Sequence, residues 1–316
     1  MQKQIGYTPL DGKVYPRFSG VKTFFRLPLL QDEKQLDEID VALLGAPFDG
    51  GVSFRPGARF GPEAIRSISS LGRGYNPASQ VHIFKKLKVA DVGDVAVVPQ
   101  SIEQTHKAIA GQVGNLLKHD CLPIVVGGDH STTIGSMQAI FEKYGQFNVI
   151  HFDAHTDTYP QAWGCDVHHG TFMRLGHERG WFKKDGVVQI GLRGPFSSED
   201  DLKTPKNFGY QVFTVDDVRS LGLAKIKQTL SSLSDSPTYV TFDVDCLDPS
   251  CAPGTGTPVP GGLTSWEAMQ LLRAINGKNI VAADVVEMCP PYDVSDLTSL
   301  VALSVIFELL SGIASR

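Results

Sequence analysis

The chain alternates short, continuously apolar segments with longer segments in which apolar residues recur at helical spacing. The helical pattern is plainest over residues 101–119, where Ile109, Val113 and Leu116 fall on one face. Strands that are apolar throughout and separated by helices are typical of a parallel sheet covered on both faces. The segments predicted to form strands are residues 41–45, 88–92, 122–126, 149–152, 187–192, 210–214, 239–244 and 280–286.

These elements predict one three-layer αβα sandwich with a central, mainly parallel sheet of about eight strands. The domain is expected to span residues 39–316, because no linker, repeat or low-complexity tract interrupts it. Residues 1–38 are irregular and polar, with apolar anchor points at residues 16–18 and 24–28. We expect this extension to pack on the domain or on a neighbouring subunit.

The amino-acid composition argues against two classes of binding partner, nucleic acids and membranes. A hydrophobic content of 42% and a charged content of 20% are those of a soluble globular protein, and a net charge of −5 gives no footprint for nucleic acid or an anionic membrane. A small-molecule partner is therefore expected. Five irregularly spaced cysteines, and an N-terminus without the apolar stretch of a signal peptide, favour a cytoplasmic location. The most apolar segment, residues 297–314, carries Glu308 in its middle, which favours a packed helix over a membrane span.

Polar residues end the apolar strand at residues 149–152. Asp153, His155 and Asp157 follow at a spacing of two, so an extended backbone turns all three side chains to one side. The plain alternative is a strand that ends in surface aspartates. Asp and His are seldom buried together without a ligand, so the residues favour a metal site at the carboxyl end of the strand.

Two further strands end in similar residues. Gly127 and Gly128 are expected to allow a sharp turn that brings His130 to a strand end, although a histidine at such a turn is by itself more often hydrogen-bonded structure than a ligand. Asp243 and Asp245 again share a face, and two adjacent acids repel each other unless a cation joins them.

Charge counting predicts two cations. The three clusters hold four carboxylates and two imidazoles, and two divalent cations neutralise the four negative charges. An oxygen-rich set without thiolates favours a harder cation such as Mn²⁺ over structural Zn²⁺. Paired ions can share a hydroxide formed at neutral pH, so the inferred chemistry is hydrolysis. The candidate metal ligands are His130, Asp153, His155, Asp157, Asp243 and Asp245.

Two other positions are candidates for catalysis. His168 and His169 follow the first cluster, and a histidine near a metal-bound nucleophile is suited to proton transfer, although either could be an ordinary helix-start residue. Glu287 ends the buried strand at residues 280–286. It could hold a guanidinium through paired hydrogen bonds, or it could be a solvated loop acid.

Three motifs are similar to the signatures of the ureohydrolases, the arginase and agmatinase family. They are Gly-Gly-Asp-His-Ser at residues 127–131, Asp-Ala-His-Thr-Asp at residues 153–157, and Phe-Asp-Val-Asp-Cys-Leu-Asp-Pro at residues 242–249, followed by Ala-Pro-Gly-Thr-Gly-Thr-Pro at residues 252–258. The resemblance extends from about residue 14 to the end of the chain.

The resemblance implies an eight-stranded α/β fold, two Mn²⁺ ions, a trimer or hexamer, and release of urea from a small guanidino compound. The six candidate ligands stand where that family has its metal ligands, so that Asp157 serves both as ligand and in catalysis. The bridging hydroxide would attack the guanidinium carbon, Glu287 would bind the guanidinium, and His169 would protonate the departing amine.

The substrate is a finer question. The loops at residues 55–62 and 253–258 resemble agmatinases and guanidino-acid hydrolases rather than arginases. Residues 158–168 are expected to line the pocket for the substrate's tail, with Trp163 and Asp166 as binding residues. Because Asp166 could attract an ammonium group, agmatine, cleaved to putrescine and urea, is favoured.

The alternative substrate is a guanidino acid, 4-guanidinobutyrate or 3-guanidinopropionate. The segments at residues 16–18, 24–28 and 168–171 also resemble hydrolases of such acids. Two other classes remain: a deacetylase with one Zn²⁺, and a catalytically silent relative. Both fit poorly, because the full set of ligands is present. The ligands could also take Ni²⁺, Co²⁺ or Zn²⁺.

Overall fold

The computed structural model of the protein describes residues 6–316. In this part of the chain, ten strands form an eight-stranded sheet and a short hairpin. In chain order the strands are β1 (Val41–Ala46), β2 (Tyr75–Asn76), β3 (Val81–His82), β4 (Val89–Asp94), β5 (Leu122–Gly127), β6 (Phe147–Phe152), β7 (Phe182–Leu192), β8 (Gln211–Thr214), β9 (Thr238–Asp243) and β10 (Ile280–Val286).

All neighbours in the large sheet run parallel, in the order β4-β1-β5-β10-β9-β6-β7-β8. Strands β2 and β3 pair antiparallel outside it. The helices of the described residues are α1 (Gly61–Ile68), α2 (Ile83–Lys86), α3 (Ile102–Lys118), α4 (Thr133–Tyr144), α5 (Phe172–Glu178), α6 (Asp200–Asn207), α7 (Val215–Leu221), α8 (Leu223–Ser232), α9 (Ser265–Arg273) and α10 (Leu297–Ile313).

Helices cover both faces of the sheet. Along β1, Leu43 belongs to the core that holds Ile65 of α1 and Val305 of α10, whereas the next residue, Leu44, belongs to the core that holds Ile109 of α3. Successive side chains of a strand point to opposite faces, so a strand buried on both sides must be apolar throughout. The predicted three-layer α/β sandwich with eight strands is confirmed.

Most predicted strand ends lie within two residues of the observed ones, and the larger differences are in two places. Strand β7 begins at Phe182, five residues before its predicted start, because the intervening Lys183, Lys184 and Asp185 interrupt the apolar pattern. The β2–β3 hairpin was not predicted, since its two-residue strands carry no periodic signal.

The strand order places the polar loops together. Strands β5, β10, β9 and β6 are consecutive neighbours in the sheet. Strands β5, β9 and β6 each end in one of the three polar clusters singled out in the sequence, and β10 is followed by Glu287. Because the sheet is parallel, these four loops emerge at the same edge and build one site.

The segment before β1 contacts the domain through buried aromatic residues. Phe24 and Phe25 are at most 1% exposed, and the backbone N–H of Phe24 donates to Asp91 Oδ2 at 2.9 Å. The guanidinium of Arg66 pairs with the same carboxylate at 2.8 Å and lies 4.3 Å from the centre of the Phe24 ring. These contacts fasten the segment to α1 and to β4 at one edge of the sheet.

The last helix, α10, packs inside the domain, as predicted, and a polar network holds it there. Glu308 accepts hydrogen bonds from Asn76 Nδ2 and from Arg273 Nε, both at 3.0 Å. Across residues 6–316, the helices lack the combined length and apolar character needed to cross a bilayer. All five cysteines lie in this range, and each is unpaired.

Candidate active site

The first group of polar side chains surrounds the ring of His130. Its Nδ1 lies 3.0 Å from Asp153 Oδ2, 3.1 Å from Asp157 Oδ2 and 3.3 Å from Asp243 Oδ2. His130 stands in a short 3-10 turn after β5, Asp153 and Asp157 lie in the loop after β6, and Asp243 is the last residue of β9. All four side chains are buried. We call this group the His130 half.

The second group shares one residue with the first. His155 Nδ1 lies 3.3 Å from Asp153 Oδ1 and 3.1 Å from Asp245 Oδ2. Asp153 thus gives one carboxylate oxygen to each group. A hydrogen bond of 3.0 Å from the backbone N–H of Ala154 to Asp245 Oδ1 ties the two loops together. We call this group, formed by His155, Asp245 and Asp153 Oδ1, the His155 half.

The donor set fits two cations. In the tautomer in which His130 Nε2–H donates to Thr241 Oγ1, at 2.7 Å, the Nδ1 lone pair faces three carboxylate oxygens. Among the described residues, this buried Nδ1 has no hydrogen-bond partner. Electron-rich atoms repel at this distance unless a cation lies between them, and donors about 2.1 Å from an ion and at right angles are about 3.0 Å apart. Both halves match this spacing.

The crowded carboxylates also shift proton affinities. Burial lowers the pKa of His130, but Asp153, Asp157 and Asp243 outweigh it and raise that pKa well above its usual value. Burial, together with Asp245 and Asp153, raises the pKa of the Asp243 carboxyl well above its usual range. Without cations the cluster therefore retains protons, which metal binding must displace.

Glu287 links the ligand loop to His169. Its Oε1 accepts a hydrogen bond of 2.9 Å from the backbone N–H of His130 and lies 2.9 Å from His169 Nδ1. The other ring nitrogen, His169 Nε2, lies 2.7 Å from the hydroxyl of Ser53 and 3.2 Å from its backbone nitrogen. Burial lowers the pKa of His169, but the negative charge of Glu287 outweighs it and raises the pKa to about 9.

A cavity of about 210 Å³ opens onto both halves and onto His169. Tyr159 is on its wall, and the Tyr159 hydroxyl has no hydrogen bond to any residue in the described range. Burial raises the pKa of Tyr159 to about 12, so this hydroxyl stays protonated and can donate. The cavity is lined by Ser53, His155, Asp157, Tyr159, His168, His169, Gly170, Asp243 and Thr257.

The two residues predicted to bind the substrate's tail do not line this cavity. Asp166 is exposed, and its backbone carbonyl accepts a hydrogen bond of 3.0 Å from Arg174. Trp163 is 72% exposed, and its ring lies edge-on to that of His168, with centroids 5.7 Å apart. In this structure both stand outside the cavity wall.

Comparison with known proteins identifies the family. The family model described as the arginase family matches residues 39–312, which is most of the chain. The chain belongs to the arginase family. The sequence-based prediction of a ureohydrolase-family enzyme is therefore confirmed.

Three relatives illustrate the similarity. The chain is 37% identical to guanidinobutyrase from Pseudomonas aeruginosa over 305 residues, which cover 96% of each protein. It is 38% identical to mitochondrial agmatinase from Gallus gallus over 303 residues, which cover 96% of this chain and 88% of that protein. The structure of proclavaminate amidinohydrolase from Streptomyces clavuligerus superimposes with a TM-score of 0.88 at 37% identity, covering 95% of this chain and all of the other.

Sequence reasoning missed two residues beneath the ligands of this arginase-family site. His151 Nε2 lies 2.8 Å from Asp153 Oδ2, and Gln189 Nε2 lies 2.9 Å from His151 Nδ1 and 2.8 Å from the carbonyl oxygen of Thr156. His151 therefore donates to the shared carboxylate from below. The spacing of two that identified Asp153 extends back to His151 and could have found it, but no signal in the sequence marks Gln189.

The role expected for Gly127 and Gly128 is corrected. Neither Gly127 nor Gly128 has a positive φ, so no unusual turn needs them. A Cβ at Gly128 would instead lie 1.7 Å from the carbonyl oxygen of Phe48, which only a glycine avoids. The close approach lets the backbone N–H of Asp129 donate to that carbonyl at 2.8 Å, which fixes the loop that carries His130.

Proposed function

We propose that the protein hydrolyses a linear guanidino acid, such as 4-guanidinobutyrate or 3-guanidinopropionate, to urea and an amino acid. The observation that carries the hydrolytic part is the pair of carboxylate and imidazole groups that share Asp153 on a cavity also lined by His169. Such a cluster, with membership of the arginase family, supports a two-cation hydrolase.

The residues have distinct roles in this proposal. When bound, two divalent cations would lower the pKa of a water molecule and supply the nucleophile at neutral pH. Glu287 is buried and does not line the cavity, but it contacts His169, which does, and its Oε2 receives no hydrogen bond from any described residue. In this proposal Oε2 would accept from guanidinium N–H groups that reach past His169. His169 would deliver a proton to the departing nitrogen as the C–N bond breaks. The cations would be held by His130, Asp153, His155, Asp157, Asp243 and Asp245.

The preference for an acid tail over an ammonium tail rests on Tyr159, because the lining residues include neither a Lys or Arg to pair with a carboxylate nor an acid outside the ligand cluster. Asp166, on which the expectation of agmatine rested, stands outside the cavity, and the acidic residues that line it, Asp157 and Asp243, belong to the ligand cluster. An ammonium tail would thus lack a carboxylate partner. The free hydroxyl of Tyr159 can donate to a carboxylate instead.

Agmatine is the second candidate. The chain is as similar to an agmatinase, at 38% identity, as to a guanidinobutyrase, at 37%, so overall similarity does not discriminate between the two tails. The exposed Asp166 favours agmatine only if the substrate's tail reaches beyond the cavity mouth.

The experiment is urea release by metal-stripped protein reloaded separately with Mn²⁺, Ni²⁺, Co²⁺ or Zn²⁺. The substrates are 4-guanidinobutyrate, 3-guanidinopropionate, agmatine and arginine. A higher kcat/KM for a guanidino acid supports the proposal, and a higher value for agmatine refutes its tail assignment. If the Asp166→Asn variant turns over agmatine more slowly than wild type, Asp166 binds the ammonium tail, as the sequence predicts. The absence of urea from every substrate would refute the hydrolase itself.

Three properties of the holoenzyme belong to the same proposal. We expect Mn²⁺ as the physiological cation, because oxygen donors dominate the cluster. We expect a homo-oligomer, a trimer or a hexamer, in the cytoplasm. Metal analysis of protein purified without added cations, light scattering and cell fractionation test these three expectations.

A further inference from the structure

Arg193, directly after β7, makes an unusual set of contacts. No carboxylate pairs with its guanidinium within residues 6–316. The guanidinium instead donates to backbone carbonyls of the loops beside the His155 half. The acceptors are the carbonyl oxygens of Asp245 at 2.7 Å, Leu247 at 3.0 Å, Cys246 at 3.1 Å, Val259 at 3.1 Å and Gly191 at 3.1 Å.

The backbone N–H of Arg193 makes a further contact, with the loop that follows β6. Its N–H donates to the carbonyl oxygen of Ala154 at 3.0 Å. Ala154 lies between Asp153 and His155, and its own N–H donates to Asp245 Oδ1 at 3.0 Å. One residue that contributes no candidate ligand therefore connects the loops that follow β6, β7 and β9. Every ligand of the His155 half comes from two of these loops.

The geometry points to Arg193 as the positioning residue of the His155 half. A planar guanidinium with five N–H donors can hold several carbonyls at fixed angles, which the compact ammonium of lysine cannot do. Holding the carbonyl of Asp245 fixes where its side chain leaves the backbone, and Asp245 Oδ2 lies 3.1 Å from His155 Nδ1. Among the described residues, the guanidinium makes no hydrogen bond to the loop that carries His130, and His130 is supported instead by Thr241 and Glu287.

This inference rests on the proposed two-cation site, and it predicts an unequal effect on the two cations. Weakening the support of ligands typically costs about 10–100-fold in metal affinity. In Arg193→Lys the cation of the His155 half should bind about 10–100-fold more weakly, and the cation of the His130 half should be retained. A residue needed only for folding would weaken both cations alike.

The test is equilibrium dialysis of metal-free protein against a Mn²⁺ series, with metal analysis and electron paramagnetic resonance. Wild type should bind two Mn²⁺ per subunit and give the signal of a coupled pair. Arg193→Lys should show one tight and one weak site, with the signal of isolated Mn²⁺ at intermediate concentrations. His155→Gln, which removes a donor of the same half, supplies the reference spectrum. Arg219→Lys is the matched control, because Arg219 also donates to a backbone carbonyl, that of Gly262, at 2.9 Å.

Each outcome decides the inference. Two tight sites in Arg193→Lys overturn it while leaving the proposed function intact. Equal weakening of both sites also overturns it, in favour of a general structural role. A wild type that binds no divalent cation overturns both proposals. If Arg193→Lys does not fold by circular dichroism, Arg193→Gln takes its place, and failure of both variants beside a folded Arg219→Lys makes the residue structural.

Discussion

The stability of the protein should fall in mild acid because of one buried histidine. His106 of α3 is 8% exposed, and its Nε2 lies 3.3 Å from the hydroxyl of Ser131, next to the candidate ligand His130. Burial, with a smaller contribution from the positive charge of Arg179, lowers the pKa of His106 from 6.5 to about 4. The folded protein thus resists protonation of a group that the unfolded chain protonates readily.

The magnitude follows from the two pKa values. Above pH 6.5 both states carry neutral His106, so the full stability is present. As the pH falls from 6.5 to 4, the unfolded chain binds the proton first and stability is lost. The loss is about 2 kcal/mol between pH 7 and pH 5, and about 3 kcal/mol below pH 4, at 1.36 kcal/mol per pKa unit.

The assay is urea unfolding of metal-free protein at pH 7, 6 and 5. The carboxylate cluster also titrates, but it is common to all variants and cancels in differences. His106→Gln removes the buried imidazole and should lose about 2 kcal/mol less than wild type between pH 7 and pH 5. His82→Gln, at an exposed position of the hairpin, should follow wild type. Parallel losses in wild type and His106→Gln would refute the reasoning.

Three further predictions test the site and the fold. Glu287→Gln should keep both cations but lower kcat/KM by about 10²–10³-fold, because a buried charge that holds the guanidinium is lost; urea release and metal analysis check this, and a near-normal rate contradicts it. Tyr159→Phe should raise KM for 4-guanidinobutyrate by about 10-fold and leave agmatine unchanged, because only a carboxylate tail uses the hydroxyl; equal effects on both substrates contradict the tail assignment. Phe24→Ala should lower the free energy of unfolding by about 3–5 kcal/mol, because the ring is fully buried; urea unfolding checks this against Phe18→Ala, at a position 85% exposed, which should resemble wild type.

Local patterns were sufficient for most of the sheet and for the candidate ligands. A strand such as β9 is buried on both faces, so its mainly apolar sequence is enough to predict it. The acids at its end stand out in the sequence because unpaired carboxylates are not buried in a core. The sequence of β7 was less informative where Lys183 and Lys184 extend it beyond the apolar run. Those side chains reach solvent, so the backbone pairing there leaves no trace in hydrophobicity.

Contacts between loops were beyond sequence reasoning. Ser53 meets His169, 116 residues away, and Arg193 meets Val259, 66 residues away, only because of the strand order. Neither residue type nor spacing encodes such a meeting. Asp166 is the opposite case. Its charge and its position in the chain predict that it binds the substrate's tail, but in the folded loop it stands outside the cavity.

The backbone at two candidate site residues shows how the fold places a side chain against local preference. Asp157 and Glu287 have φ angles of 51° and 62°, in the left-handed region that costs a non-glycine residue about 1–2 kcal/mol. A glycine would relieve this cost but would remove the carboxylate. Hydrogen bonds hold both turns: the carbonyl of Asp157 accepts from Met173 at 3.1 Å, and the N–H of Glu287 donates to Gly128 at 2.8 Å. Aspartate tolerates this conformation better than glutamate does. The strained backbone at Glu287 is therefore stronger evidence than that at Asp157 that the position requires the carboxylate side chain.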